Sequence, residues 1–538
     1  MSKRPLQTSS GIPLEDIYRA ADVPSAAKSL GNSEPGARPY LRGAYPQMYR
    51  TKPWRIFQLS GFGNPEDEGE RIRFLLEHGE TGFIMEHDRN TADHLYGLDH
   101  PDVVARKEDV GMVGAVIQSL DDYETVLQGI DTGSVYAHPG GGVVQHAPFT
   151  LACYWTVAQR RGIPLERLSG TSQADFFLTY LGCITKQQIP TGAGLRLNVD
   201  TIEFCLQYLP HWIPVSIAGY NGADTGLNAY QELGAVMANA VEYLDAVAAR
   251  GGDVVAAAPG VAGVNFRVSM DLFEDIAKLR AARVMWSDLL ERRYGISDPR
   301  AARLRIHALT AGSQMTYQQP LNNIARGTIM ALAGVLGGTQ SLGVSGYDEA
   351  VSIPSEHAHQ MSVRIQQILQ NETNLTAVVD PLGGSYYVES LTAGVLERAW
   401  AFFDTILERG GFLACLDDGW LHARALENQT SQLTEVESGD QRIVGLNIGE
   451  GDISPFEIDG FQGTSDAWER GMARLTELRR TRDGHRHAAA MRELERVCAS
   501  EENILPPMLD AVAADATLGE IGDVFRESFG DWDTPIRF

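Results

Sequence analysis

Three turn-rich clusters hold the side chains of this chain that could do chemistry: GTSQAD at Gly170 to Asp175, SIAGYNGADTG at Ser216 to Gly226, and GGTQSLGVSGYDEA at Gly337 to Ala350. Each sets hydroxyl, amide and carboxyl groups among glycines, on backbone that can turn tightly. The acid and base candidates are Glu349, Asp348, Asp224 and His307. No Ser/His/Asp or Cys/His elbow is present, so nucleophilic hydrolysis is not indicated. A glycine-rich turn alone is more often structural than functional, and only convergence of the three would make a site.

The flanking patterns suggest how they converge. HWIPVSIAG, from His211, is β-branched and aromatic and ends in glycine, as a buried strand does where it meets a loop. Glu232 to Gly251 then carries apolar residues at 3.6-residue spacing and stops at glycine, which predicts a helix. ETGFIMEHD, GSVYAHPG and RLRIHALTAG read as further strands, and NNIARGTIMALAGVLGG as another helix. Repeated strand-helix units without a GxGxxG fingerprint favour a parallel (β/α)₈ TIM barrel, an α/β fold whose carboxyl-end loops share one mouth. Residues 1–52, rich in Pro, Gly and Ser, read as an N-terminal arm with a short helix near Leu14 to Ala21. Residues 53–392 form the expected substrate-binding barrel, and 393–538 a mainly helical C-terminal extension.

Composition bounds the partners. A chain of 538 residues with formal charge −25 lacks the basic stripe that nucleic acid requires. No run of about 18 apolar residues exists to cross a membrane, and the N-terminus has no signal-peptide core, so the expected location is cytoplasmic. The five cysteines are scattered, with no metal-ligand spacing and therefore no metal expected. The basic run Arg470 to Arg486 reads as a solvated helix face, with a partner-docking helix as the alternative. From the residues alone, the reading ends at a large cytosolic barrel enzyme.

Longer motifs say more. PYLRGAYPQMYRTKPWRIFQLSGF at Pro39 to Phe62, GTSQAD, SIAGYNGADTG, IAKLRAARVMW at Ile276 to Trp286, LRIHALTAGSQMTYQQPLNNIARGTI, GVLGGTQSLGVSGYDEA and VVDPLGGSYYVESLT at Val378 to Thr392 together resemble the methylmalonyl-CoA mutase family. The resemblance runs over roughly residues 39 to 440. It implies a radical carbon-skeleton isomerase dependent on adenosylcobalamin, acting on an acyl thioester threaded through a barrel. The family's cobalt-ligating DxHxxG histidine has no counterpart after Thr392; Asp483-Gly484-His485 matches only the first spacing. The resemblance therefore implies a separate small cobalamin-binding subunit that supplies that histidine, and a hetero-oligomer.

The resemblance also distributes roles. Gln173 and Thr171 fall on the substrate side, Tyr220 in the SGYH-like motif, Glu349 beside the adenosyl group, and Asp224 and Ser345 on the cofactor side. In the opening motif Tyr45, Met48 and Lys52 fall on the substrate side, as does His307. Some positions depart from the family pattern. Asn221 stands where the family has histidine, and its amide can polarise a carbonyl but cannot deliver a proton. Leu59 replaces a tyrosine beside the migrating group. Cys183 replaces the arginine that holds a free carboxylate, and a thiol cannot form that charged bidentate pair. The expected substrate is therefore an uncharged branched or hydroxyacyl thioester rather than methylmalonyl-CoA. Erosion of phosphate-facing arginines leaves a carrier-protein-bound or other non-CoA substrate as a second reading, and a catalytically silent structural subunit as a third.

Overall fold

A computed structural model of the chain describes residues 7–25, 28, 31, 33–182, 188–451 and 465–535. It divides into two compact units, one of Met1–Gln58, Ala218–Glu242 and Ala262–Phe461, the other of Leu59–Ile217, Tyr243–Val261 and Gln462–Phe538. The strands in chain order are β1 (Arg55–Ile56), β2 (Leu59–Ser60), β3 (Gly82–Met85), β4 (Tyr136–His138), β5 (Ser169–Thr171), β6 (Trp212–Ile213), β7 (Ser216–Ile217), β8 (Gly263–Val268), β9 (Arg305–Thr310) and β10 (Ser341–Gly343). The fold class is α/β, and β1–β10, β10–β9, β9–β8, β2–β3, β3–β4, β4–β5 and β5–β6 all pair in parallel, as the alternation of strand and helix patterns implies.

In the first unit β8, β9, β10 and β1 lie side by side in that order. Both β8 and β9 alternate buried and half-buried residues, so one face packs under helices and the other carries polar groups. Register places Asn265, His307, Ser341 and Arg55 in one row across that second face. Three of the recognisable motifs are tied together beneath it. The helix Leu272–Tyr294, N-capped by Asp271 and closed by left-handed Gly295, buries Lys278, Arg280 and Arg283. Arg283 donates to the carbonyls of Tyr40 (2.9 Å), Leu41 (3.1 Å) and Gly337 (2.8 Å). Arg280 pairs with Asp380 and, at 2.7 Å, with Glu389, and Arg42 reaches Asp380 at 3.0 Å. The polar residues that mark these motifs are thus the buried charges that hold their segments to one helix.

The second unit orders β2, β3, β4, β5 and β6 in sequence. The helix Pro65–Glu77 follows β2 and starts where Asn64 N donates to Asp67 Oδ2 at 2.8 Å. On it, Glu68 is fully buried; Ser60 donates to one carboxyl oxygen at 3.2 Å and the other has no partner. Burial, only partly countered by Ser60 and Arg71, pushes this acid up to about 8. A carboxyl raised by folding contributes stability that is fully present below the ordinary glutamate range and is lost as pH rises through about 8. Across the steep part of that window the loss is about 1.4 kcal/mol per pH unit. Glu68→Gln, isosteric with the protonated acid, is expected to remove this slope when thermal midpoints are compared from pH 5 to 8; an unchanged slope would place the titration elsewhere.

Three sequence expectations are corrected. Leu14 to Ala21 is not helical, because Pro13 and Pro24 bracket too few residues to close a stable turn ladder. HWIPVSIAG makes two short strands instead of one, β6 and β7, since Pro214 between them cannot donate to a ladder. The basic run is a solvated face only in part, at Arg480 and Arg486. It spans the helices Ala467–Thr481 and Gly484–Cys498, where Arg470 reaches Glu66 (3.3 Å), Arg474 Asp122 (3.5 Å), Arg479 Asp99 (2.7 Å) and Arg482 Glu520 (2.6 Å) within its own unit.

Candidate active site

In the first unit the carboxyl ends of β9 and β10 and the helix Gly219–Asp224 bring polar side chains together. Tyr220 donates to Asp224 Oδ2 at 3.1 Å and accepts from Gly312 N at 3.4 Å. Ser313 donates to Asp224 Oδ1 at 2.6 Å, and the Arg267 guanidinium, which donates to Ala223 O at 2.7 Å, stands 3.8 Å from the same oxygen. Glu349 belongs to the cluster: a Cβ placed on Gly312 would lie 3.4 Å from Tyr220 Oη and 3.5 Å from Glu349 Oε1, so both groups border the same point of backbone. Ser345 is fixed to the end of β9 by its N–H to Thr310 Oγ1 (2.7 Å) and its hydroxyl to Thr310 O (3.1 Å).

The electrostatics favour uncharged donors. Burial, then the Asp224 and Glu349 carboxylates, drive the Tyr220 phenol well above its ordinary range, so it stays protonated. Crowding by protein, then Asp348 and Asp224, raises Glu349 to about 7. Glu349 nonetheless keeps solvent access; a carboxyl ringed by protein yet open to solvent is one that lines a concavity. At neutral pH it is partly an acid and can donate as well as accept. Asn221 is half-buried on the same short helix. Its backbone is held by Ala218 O (3.0 Å) and by Thr225 Oγ1 (2.6 Å), while its side-chain amide makes no hydrogen bond among the described residues.

In the second unit Thr171 ends β5 and its hydroxyl accepts from Gln173 N at 3.0 Å. Gln173 and Ala174 both have positive φ, 58° and 47°, a costly pair of left-handed residues held by Ser216 N donating to Gln173 O at 3.0 Å. Strain at a strand end aims the Gln173 side chain; a Cβ on Gly142 would stand 3.3 Å from its Nε2. Leu59 in β2 exposes an apolar side chain, 49% accessible.

The remaining candidates scatter. His307 Nδ1 pairs with Ser341 Oγ at 2.8 Å in the polar row of β9. Met48 is buried with φ 38°, Tyr45 stacks under Arg303 at 4.8 Å, and Lys52 is exposed. Cys183 lies outside the described residues. Sequence reading did not single out Gly312 and Ser313; their signal was the AGS turn directly after a strand. Asp483 accepts from the N–H groups of His485 (3.0 Å) and Arg486 (3.1 Å), so it caps a helix and does not orient the His485 ring.

Parallel sheets with polar groups gathered at their strand ends define an α/β enzyme of the kind that works at the carboxyl edge of its strands. The Methylmalonyl-CoA mutase family model matches residues 7–531. The chain is 33% identical over 542 residues to the 2-hydroxyisobutanoyl-CoA mutase large subunit of Aquincola tertiaricarbonis, covering 99% of this chain and 94% of that one. It is 35% identical over 530 residues to the methylmalonyl-CoA mutase of Cereibacter sphaeroides, covering 97% and 72%, and 33% identical over 537 residues to that of Escherichia coli, covering 99% and 73%. The chain belongs to the methylmalonyl-CoA mutase family. It is therefore an isomerase of the acyl-CoA mutase type, an intramolecular transferase, in a cobalamin-dependent family whose fold is the TIM barrel. No helix among the described residues is long and apolar enough to cross a membrane.

Proposed function

We propose that this chain is the large, substrate-binding subunit of an adenosylcobalamin-dependent mutase that rearranges an uncharged branched or hydroxylated acyl thioester. The observation that carries the reading is the protonated Tyr220 phenol and the raised Glu349 acid beside the unengaged Asn221 amide, with the Arg267 guanidinium turned to Ala223 O and to Asp224. The name of the Aquincola relative, the large subunit of a mutase of a hydroxyacyl-CoA, supports both the substrate class and a partner subunit. The four described cysteines are free and buried, which suits a reducing, cytoplasmic setting.

The residues present fit one edge of the cofactor. Glu349, at about 7, can both donate to and accept from hydroxyl groups, and Ser345 and Asp224 stand on the same rim. These three would hold the adenosyl and corrin side, whereas in the Asp483-Gly484-His485 segment the carboxylate is spent as a helix cap. When bound, adenosylcobalamin supplies a carbon-centred radical. The family resemblance gives the thioester Tyr45, Met48, Lys52 and His307 of the first unit and Thr171 and Gln173 of the second, and gives the acyl group Leu59 and Cys183; Asn221 would polarise the carbonyl. Because an amide does not titrate, that polarisation carries no proton transfer.

The test mixes this chain with a small cobalamin-domain protein and adenosylcobalamin and screens acyl thioesters, carrier-bound ones included, by electron paramagnetic resonance. A cob(II)alamin signal with a branched or hydroxyacyl thioester is expected. Silence with every thioester would leave a non-catalytic subunit, and fast turnover of methylmalonyl-CoA would overturn the inference drawn from Cys183.

A further inference from the structure

In the second unit, the turn that carries Gln173 is held in a conformation its own residues disfavour. Gln173 and Ala174 follow one another with φ of 58° and 47°, where an L side chain crowds its own backbone. Neither is glycine, so neighbours must supply what holds them. Asp175 N donates to Gly142 O at 3.1 Å, and the turn runs directly into a π-helix, Phe177–Gly182, the rare form that recurs at functional sites. Thr179 Oγ1 ties the two, donating to Asp175 O at 2.8 Å and accepting from Val144 N at 2.9 Å.

Two buried polar residues from elsewhere in the chain complete the hold. Ala174 O can only accept, so the Asn198 atom that faces it at 2.8 Å is Nδ2. The second proton of that amide goes to Tyr243 Oη at 3.3 Å, and Tyr243 donates its own proton to Asp175 Oδ2 at 3.3 Å. Phe177 N donates to the other carboxylate oxygen at 3.1 Å. Burial, then the Asp175 charge, drives the Tyr243 phenol well above its ordinary range, so it remains a donor. Asn198 Oδ1 has no partner among the described residues, a cost that an apolar side chain of similar volume would avoid. Packing alone therefore gives no reason for asparagine at 198; the reason is the carbonyl of a strained residue. All of these groups belong to the second unit.

We infer that Asn198 and Tyr243 are positioning residues for the mutase reaction: through Ala174 O and Asp175 they keep the left-handed pair in place and so fix the Gln173 amide for an acyl thioester. Both act through Gln173 without contacting the ligand. A turn relaxed to negative φ would swing that side chain away from Gly142, whose added Cβ would lie 3.3 Å from Gln173 Nε2. A misplacement of about 1 Å is enough to cost a positioned group most of its effect. The inference rests on the acyl-thioester reading above and adds to it the groups that make Gln173 rigid.

The test uses the full-length chain labelled with nitrogen-15 at glutamine, the Gln173 side-chain resonance being assigned by its loss in Gln173→Ala, alongside calorimetry with 2-hydroxyisobutyryl-CoA. Asn198→Leu is expected to shift that resonance and to weaken thioester binding about tenfold. In the Gln173→Ala background the same substitution is expected to cost no further affinity, since it acts only through the lost side chain. Adding Ala174→Gly, which adopts positive φ without strain, is expected to restore part of the affinity lost in Asn198→Leu. Tyr243→Phe keeps the ring stacked on Phe176 at 5.4 Å and is expected to move the resonance the same way but less. Melting curves report folding, and Tyr243→Phe carries the test if Asn198→Leu does not fold. A resonance unmoved in the folded variants, or an affinity loss that adds in full to that of Gln173→Ala, would overturn the positioning role and leave core support only. If the wild-type chain binds no thioester, the acyl-thioester reading fails, and the resonance by itself upholds or overturns the hold on Gln173.

Discussion

Asn221→Ala is expected to lower kcat by about 10²–10³ with little change in KM, the loss typical of one preorganised donor aimed at a carbonyl oxygen that gains charge. The backbone of Asn221 is tied at both ends, to Ala218 O and Thr225 Oγ1, while the amide is half-buried and unengaged. A side chain with no structural bond to break should not disturb the fold when removed, so the loss reports on chemistry. A proportional fall in kcat and kcat/KM marks an interaction made only in the transition state. Asn221→His tests the same atom differently: it keeps a donor but adds a group that titrates near 6.5, so a limb should enter the pH-rate profile there. Retention of kcat within threefold in Asn221→Ala would assign carbonyl polarisation to another residue.

Arg283→Met is expected to destabilise the first unit by about 3–5 kcal/mol, the range for leaving a buried charged network without its partner. The guanidinium is fully enclosed, and it satisfies three carbonyls from two distant segments, Tyr40 and Leu41 in the opening motif and Gly337 in the loop before β10. Burial, then Arg280, pulls its proton affinity down to about 10, which still leaves it charged at neutral pH. Methionine fills most of the volume but orphans all three acceptors. The check is the apparent thermal midpoint and the soluble yield, with Arg409→Met, at an exposed pair with Asp418, as a variant expected to change neither. Because Gly337 leads into β10 and Ser345, the Arg283 variant should also weaken ligand binding at the Glu349 rim.

The elements were legible because their signals are local. Alternation in RLRIHALTAG predicted β9, and 3.6-residue spacing predicted the helices that include Glu232 and Asn322, since each pattern follows from backbone geometry over a few residues. Proline effects were read less well. Pro214 splits a strand that composition alone presents as continuous, and the residues between Pro13 and Pro24 are too few to form a helix without tertiary support.

The candidate site divides along the same line. Sequence by itself determined the family and the residue types at the three turn clusters, because these are matters of identity and order. Only the tertiary structure decided that Tyr220 shares Asp224 with Ser313, 89 positions on, or that Arg470 to Arg482 meets carboxylates of its own unit. It also decided that Tyr123 and His146 both meet the His87 ring, at 3.2 Å each. Such pairings depend on which groups burial deprives of water, and desolvation is a property of the assembled surroundings that no window of sequence contains.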